Sequence, residues 1–439
     1  METGEDMSTQ ELIETRTEPR REVPLKGALK SRRNENRTLL SAMAEKAVRK
    51  SLSGIQAGQL TMLDGTRVDC FGEIDCCPLR GDVVVRSAQL YRRLLFDGAL
   101  GAAESYLEGE WDSENLTDMF RVLLRNEHVL AGLSGPLAKF AALRHRWQHF
   151  GNRNSKAGSR RNIHAHYDLG NEFFSLFLDP TMMYSSAIFP DEQSTLEQGS
   201  IEKVDRVCRQ LQLQPEDEVI EIGTGWGTFA IHAAANYGCR VTTTTISDEQ
   251  YRMATMRVRE AGLENRITLL KQDYRDLDGQ YDKLVSIEMI EAVGRKFLDG
   301  YFRKCGSLLK EGGAMMIQAI TLPEQRYEGY EDSVDFIQKY IFPGGFLPSI
   351  RMMQDCAAEQ TDLRMLALDD FGMHYARTLR LWNEAFHERL EDVRAMGFDE
   401  RFIRMWRYYL CYCEAAFLER ATGLVQVMWG RPQCVLGST

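Results

Sequence analysis

The chain lacks the features that would place it in an oxidising compartment, across a bilayer or on nucleic acid. Its ten cysteines include no Cys-x-x-Cys pair, and Cys76-Cys77 and Cys411-x-Cys413 lack zinc-site spacing. Reduced thiols in the cytoplasm are therefore expected, with no metal. No run reaches the roughly 18 to 20 uninterrupted apolar residues that a membrane span needs. The N-terminal METGEDMSTQELIETRTEPRR has no apolar core of a secretory signal. An excess of base is missing too. Against 54 Lys and Arg stand 64 Asp and Glu, a net charge of −10, which argues against a general nucleic-acid binder. What is present is ordinary globular material, 44% hydrophobic and 27% charged, and 439 residues give room for two or three domains.

Residues 1–36 are polar, mixed in charge and poor in aromatics, as in a disordered tail. Residues 37–137 read as a small N-terminal α+β domain. Leu39, Leu40, Met43, Ala47 and Val48 recur at helical spacing, and Asp64-Gly65 turns a hairpin over 60–68. A strand is expected at 81–85, two helices at 87–95 and 102–107, and another helix running through Leu124. Residues 138–162 form a basic linker. Lys139, Arg144, Arg146, Arg153, Lys156, Arg160 and Arg161 occur there without one Asp or Glu, among Phe140, Trp147 and Phe150. Two readings stay open: a solvated connection, or a surface for anionic lipid headgroups, where each basic residue adds about 1 kcal/mol.

From 163 to 439 strands alternate with helices. Val219–Ile222, Arg240–Thr245, Ile267–Leu270, Lys283–Ile287 and Gly313–Ile320 read as strands of a doubly wound sheet, with an insertion at about 323–350. A long helix, 400–421, carries the apolar stripe Phe402, Trp406, Tyr409, Cys413 and Phe417, the pattern of plain core packing. A strand at 424–429 follows. The first strand of this region runs into Gly223-Thr-Gly-Trp-Gly227 and then an Ala-rich helix. Such a turn lets a ligand approach bare backbone at a helix N-terminus, which suits a nucleoside-containing cofactor. Gly-x-Gly-x-Gly is tighter than the dinucleotide fingerprint Gly-x-Gly-x-x-Gly. With Glu221 just ahead of it, the pattern resembles a class I methyltransferase that binds S-adenosylmethionine. The second strand departs from that pattern, ending in Thr245-Ile-Ser-Asp-Glu-Gln250 instead of an acid.

Further motifs narrow the resemblance. They are His166-Tyr-Asp-Leu-Gly-Asn-Glu-Phe-Phe174, Leu178 to Phe189, Gln272-Asp-Tyr-Arg-Asp-Leu277, Ser286-Ile-Glu-Met-Ile-Glu-Ala-Val-Gly294 and Asp335 to Pro348. With these the chain resembles the cyclopropane-fatty-acyl-phospholipid synthase family, related to mycolic acid cyclopropane synthases and other lipid methyltransferases. The resemblance runs from about residue 38 to the C-terminus and leans toward the branch that includes plant-type synthases. It implies an α/β fold with a Rossmann-like doubly wound sheet and transfer of a methylene group from S-adenosylmethionine to a cis double bond of a phospholipid acyl chain. A carbocation forms, loses a proton from the new methyl group and closes to a ring. Loss at a neighbouring carbon gives a branch instead.

The resemblance also implies the site. Tyr184, Ser185, Glu221, Gly223, Gly225, Gly227, Thr245, Ile246, Gln250, Asp273 and Tyr274 are expected at the cofactor. Bicarbonate is expected as the base, held by the Glu291 carboxylate, the Tyr340 hydroxyl, Gln318 and the backbone of Ile320 and Ser186. Gln318 stands where the commoner pattern has His, and Ser186 where it has Cys, which leaves two readings open: weaker bicarbonate binding, or a larger share of the proton transfer for Glu291. Cys413 matches a position sometimes marked catalytic, but it lies on the packing stripe. Each assignment has a plain alternative: Glu291 as a helix-start carboxylate, Tyr340 as packing, Asp273 as a turn residue. The implied partners are a phospholipid membrane surface, met peripherally from the cytoplasm, and an unsaturated acyl chain, with a homodimer as a compatible assembly. Other readings are a methyltransferase for a branched lipid, a sphingolipid or a small amine, and a lipid-binding relative without catalysis.

Overall fold

The computed structural model describes residues 39–75, 77–129, 158, 169–330 and 335–436. The expected tail, and apart from Gly158 the basic linker, lie outside the described residues, as do His166, Tyr167 and Asp168. Two compact units are present. One comprises 1–150, 329–340 and 390–421, and the other 151–328, 341–389 and 422–439. The sequence suggests a continuous N-terminal domain; the compact unit also takes in two later segments.

The first unit runs α1 (Leu39–Leu52), β1 (Gln59–Asp64), β2 (Arg67–Phe71), β3 (Arg80–Val85), α2 (Gln89–Leu107), β4 (Trp111–Asp112) and α3 (Leu116–Arg125). Its sheet has the order β2-β1-β3-β4. The hairpin closes at Asp64 opposite Arg67, with Gly65 at φ 64°. The two helices expected over 87–107 form one element broken at Gly98, whose φ of 61° and ψ of −141° are not helical. The late helix Glu400–Leu418 is tied to this unit by polar side chains. Thr117 donates to Glu414 (2.7 Å), Arg121 to Glu419 (2.6 Å), and Arg404 to the Tyr106 and Trp111 carbonyls (2.5 and 2.7 Å). Trp406, Tyr409 and Phe417 of its stripe are buried, which is the packing role the spacing suggests.

The second unit is a doubly wound α/β sheet. Its strands are β5 (Glu218–Ile222), β6 (Arg240–Thr245), β7 (Ile267–Lys271), β8 (Tyr281–Ile287), β9 (Leu309–Thr321), β10 (Arg364–Asp370) and β11 (Gly423–Gly430), in the order β10-β11-β9-β8-β5-β6-β7. The five strands from β9 to β7 are parallel, whereas β11 is antiparallel to both β9 and β10. The helices are α4 (Leu196–Gln210), α5 (Thr228–Tyr237), α6 (Asp248–Glu260), α7 (Leu298–Leu308), α8 (Ile350–Gln360) and α9 (Gly372–Glu388). Local chemistry starts them cleanly. Thr195 and Gln198 form a capping box on α4, and Ser247 and Ser349 cap α6 and α8. Val204 and Val207 of α4 and Phe229 and Ala233 of α5 pack with Val219, Val241 and Val285 of the sheet in one core. Strand order reverses between β5 and β8, so the crevice beyond their carboxyl ends is where such sheets take ligands. Among the described residues no helix is long and apolar enough to cross a membrane.

Candidate active site

The glycine turn opens at the end of β5. Gly223, Gly225 and Gly227 have φ of 105°, 52° and 89°, a region that L side chains avoid. The amides of Gly223 and Thr224 donate to the Thr244 carbonyl (3.1 and 3.0 Å), pinning the turn to β6. A side chain at Gly223 would crowd Met289 at 3.3 Å, whereas at Gly225 none of the described residues lies within 4 Å. The turn is therefore fixed on one side and open at its tip. That is a cradle suited to a nucleoside cofactor at the N-terminus of α5.

Around the turn, the expected cofactor residues are held by one another. Glu221 is buried and accepts from the Thr243 hydroxyl (2.6 Å), which meets Thr224 at 2.7 Å. Burial pushes its acid up to about 8, against the pull of Thr243 and Lys203. At the end of β6 the Thr245 hydroxyl donates to the Gln250 side chain (2.8 Å) and accepts from the Ser247 amide (3.1 Å); Ile246 between them is partly buried. Asp273 clasps Arg275, at 2.7 Å to both Nε and a terminal nitrogen, and caps the single turn 274–276. Its carboxylate thus does the work of a turn residue. Tyr274 meets the Tyr301 ring edge-on at 5.4 Å.

A row of aromatic rings leads away from the turn. Trp226, within it, lies 5.4 Å from Phe174, and Phe174 lies 5.1 Å from Tyr184. Tyr184 continues to Trp382 at 5.3 Å, and Trp382 to Tyr375 at 6.1 Å. Faces of this kind favour a cation. The row ends at the Glu288 carboxylate, whose charge is felt by Glu291. Glu288, just past β8, accepts on Oε1 from the Ser186 amide (2.9 Å) and the Gln318 side chain (2.8 Å), and on Oε2 from the Tyr375 hydroxyl (2.9 Å). Glu291 accepts on Oε1 from the Ile320 amide (2.6 Å), while its Oε2 is shielded from solvent and has no partner among the described residues. Burial, and then the charge of Glu288, push the Glu291 acid up to about 8.

Three residues that the sequence reading leaves out stand here: Glu288, Tyr375 and Lys203. Lys203 is fully buried on α4 and donates to Ser185 Oγ (2.5 Å). Burial lowers its pKa to about 8, against the opposing charges of Glu288, Asp179 and Glu221. Glu288 sits in a recognisable motif, but its convergence with Tyr375 is three-dimensional. Tyr340 belongs to the first unit, where its hydroxyl donates to Glu104 (2.9 Å). Cys413 belongs there too, and burial, with Asp335 nearby, holds its thiol protonated. The Tyr375 hydroxyl is the one that bonds Glu288.

The donors expected for bicarbonate are spent within the protein. Ser186 N and Gln318 serve Glu288, and Ile320 N serves Glu291. Donors engaged in this way do not fit the holding of a further anion.

Comparison with known proteins identifies the assembly. A family model described as mycolic acid cyclopropane synthetase matches residues 154–427. The chain belongs to this family. The tuberculostearic acid methyltransferase of Mycobacterium tuberculosis is 42% identical over 341 residues, 76% of this chain and 79% of the relative. The cyclopropane-fatty-acyl-phospholipid synthase of Escherichia coli is 38% identical over 362 residues, 80% and 88% of the two chains. The crystal structure of a mycolic acid cyclopropane synthase complexed with SAH and CTAB is 31% identical, with a TM-score of 0.59 over 62% of this chain and 98% of that one. The fold is that of S-adenosylmethionine-dependent methyltransferases, and the protein is an enzyme of that class with S-adenosylmethionine as co-substrate. Its chemistry is lipid methyl transfer or cyclopropane formation.

Proposed function

We propose that this enzyme alkylates the cis double bond of an unsaturated phospholipid acyl chain, at a membrane surface approached through the basic linker 138–162. The observation that carries this reading is the shielded Oε2 of Glu291, without a partner among the described residues, close to Glu288, the carboxylate on which the aromatic row from the glycine turn ends. The turn and its tip at Gly225 hold the co-substrate, which supplies the methyl carbon. The rings and carboxylates stabilise positive charge on the acyl chain in a site with little water. Glu291, deprotonated once the cationic co-substrate is bound, then takes the proton on Oε2. Loss of that proton from the new methyl group, with closure of the second C–C bond, gives a cyclopropane. This is the leading product. Tyr340 and Cys413 are given no part in the step, and Gln318, Ile320 and Ser186 act by holding the two carboxylates.

A second product has specific support. The relative at 42% identity is named a tuberculostearic acid methyltransferase. A hydride shift onto the cationic carbon before the same proton is lost leaves a methylene branch on the chain. The test is to incubate the protein with S-adenosylmethionine and vesicles of mono-unsaturated or saturated phospholipid, then analyse the acyl chains by mass and NMR. A one-carbon gain on the unsaturated lipid with cyclopropyl protons supports the lead. Olefinic methylene signals support the branch. No gain on any lipid overturns both.

A further inference from the structure

Glu288 is held by three donors, spread over both of its oxygens. Its three donors come from separate segments: the loop at Ser186, β9 at Gln318 and α9 at Tyr375. Each donor is itself fixed. The amide of Ala187, next to Ser186, donates to Thr378 of α9 (3.1 Å), and that of Phe189 donates to His374 (3.0 Å), so the loop cannot shift without the helix. Gln318 accepts through Oε1 from Gln426 (2.9 Å), which orients its amide nitrogen toward Glu288. The backbone of Glu288 has φ 49°, a conformation that side-chain residues seldom adopt, and its amide donates to the Gln318 carbonyl (2.8 Å). A non-glycine residue keeps such a backbone where its surroundings over-determine it. The fully buried Lys203 provides opposite charge to the same carboxylate.

We propose that Glu288 is a resident anion, a carboxylate built into the chain that occupies the place of a free bicarbonate, so that the site binds none and works without it. The donor set decides this. Two amide groups and a tyrosine hydroxyl converging on one planar anion make a site for a carboxylate or carbonate oxyanion, and here the chain's own side chain fills it. A tethered anion needs no capture from solution, so its occupancy is independent of dissolved carbon dioxide. The catalytic consequence rests on the acyl-alkylation reading above; the occupancy does not.

The experiment pairs a binding measurement with turnover. Wild type and Glu288→Gly, a substitution that suits the positive φ, are titrated with ¹³C-bicarbonate by NMR in the presence of S-adenosylhomocysteine. Both are then assayed on unsaturated vesicles in buffer stripped of carbon dioxide and in buffer supplemented with bicarbonate or formate. Wild type is expected to show no saturable bicarbonate binding and turnover equal within about twofold in all buffers. The glycine variant is expected to bind bicarbonate, to lose at least about tenfold in stripped buffer, and to recover with bicarbonate or formate. Saturable binding to wild type, or loss of its turnover on stripping, overturns the proposal, and so does a folded glycine variant that neither binds an anion nor responds to one. If the variant does not fold, the wild-type arms decide alone. If wild type alkylates no lipid, the functional reading fails while the NMR titration still tests occupancy.

Discussion

Replacing Glu291 by glutamine should separate chemistry from stability in opposite directions. The Glu291 acid rises from 4.5 to about 8 on folding, chiefly because burial disfavours its charged form. In the unfolded chain the carboxyl ionises above about pH 4.5, while in the folded protein it stays protonated until about pH 8. The folded state therefore binds the proton more tightly. This contribution is fully present below the unfolded pKa and is lost as pH rises through the folded one. The interval from 4.5 to about 8, at about 1.36 kcal/mol per pH unit, amounts to about 5 kcal/mol, of which about 4 falls between about pH 5 and about pH 9. Glu291→Gln has no proton to lose. Its amide oxygen can keep the Ile320 contact, and its nitrogen takes the place of an oxygen that has no partner among the described residues. Urea unfolding of both proteins at the two pH values should show wild type losing about 4 kcal/mol more than the variant. Glu221, which also rises to about 8, is common to both and cancels. In parallel, turnover should fall at least about 100-fold while affinity for S-adenosylmethionine changes little. Equal pH dependence in the two proteins would refute the shielding of this carboxylate, and equal losses of turnover and affinity would refute its role in the chemical step.

Three further outcomes are expected. Lys203→Met removes the cation shared by Asp179, Glu221 and Glu288 and should cost about 3–5 kcal/mol in urea unfolding; unchanged stability would mean that its own burial outweighs the pairing. Gly225→Ala meets no neighbour among the described residues but must adopt φ 52°, so it should cost about 1–2 kcal/mol of stability yet weaken S-adenosylmethionine at least about tenfold by calorimetry; unaltered affinity would place the cofactor elsewhere. Binding of cationic S-adenosylmethionine at neutral pH should release a proton from the Glu291 acid, whereas S-adenosylhomocysteine should release less, as read by calorimetry in buffers of different ionisation heat; identical proton release would argue against a charge contact.

Much of the sheet was legible because its signals are local. Val219–Ile222 and the glycines after it announce a strand and a turn, and the parallel strands appear near the expected bounds. β10 was not legible: its residues alternate between exposed and half-covered, so no buried face is written into them. Of the candidate site, the sequence points to Glu291 and the turn, but not to Glu288. Glu288 reads as one more polar residue past a strand, and nothing in sequence announces a φ of 49° or three donors drawn from positions 186, 318 and 375. Lys203, in a helix rich in charged residues, looks solvated; its burial depends on α4 packing over β5. Tyr340 lies in a readable motif, yet its hydroxyl turns to Glu104, a residue 236 positions away.

The assembly of the first unit from distant segments has a consequence for how the chain is made. Thr117 waits for Glu414 across 297 residues, and Arg121 for Glu419 across 298. At about 5–20 residues per second a ribosome needs about 15–60 s to bridge that gap. During that time α3 is outside the exit tunnel with its closing helix still unsynthesised. The early part of the unit must therefore persist incomplete, with the surface destined for Glu400–Leu418 uncovered, and a holdase that shields nascent apolar surface would find its target there first.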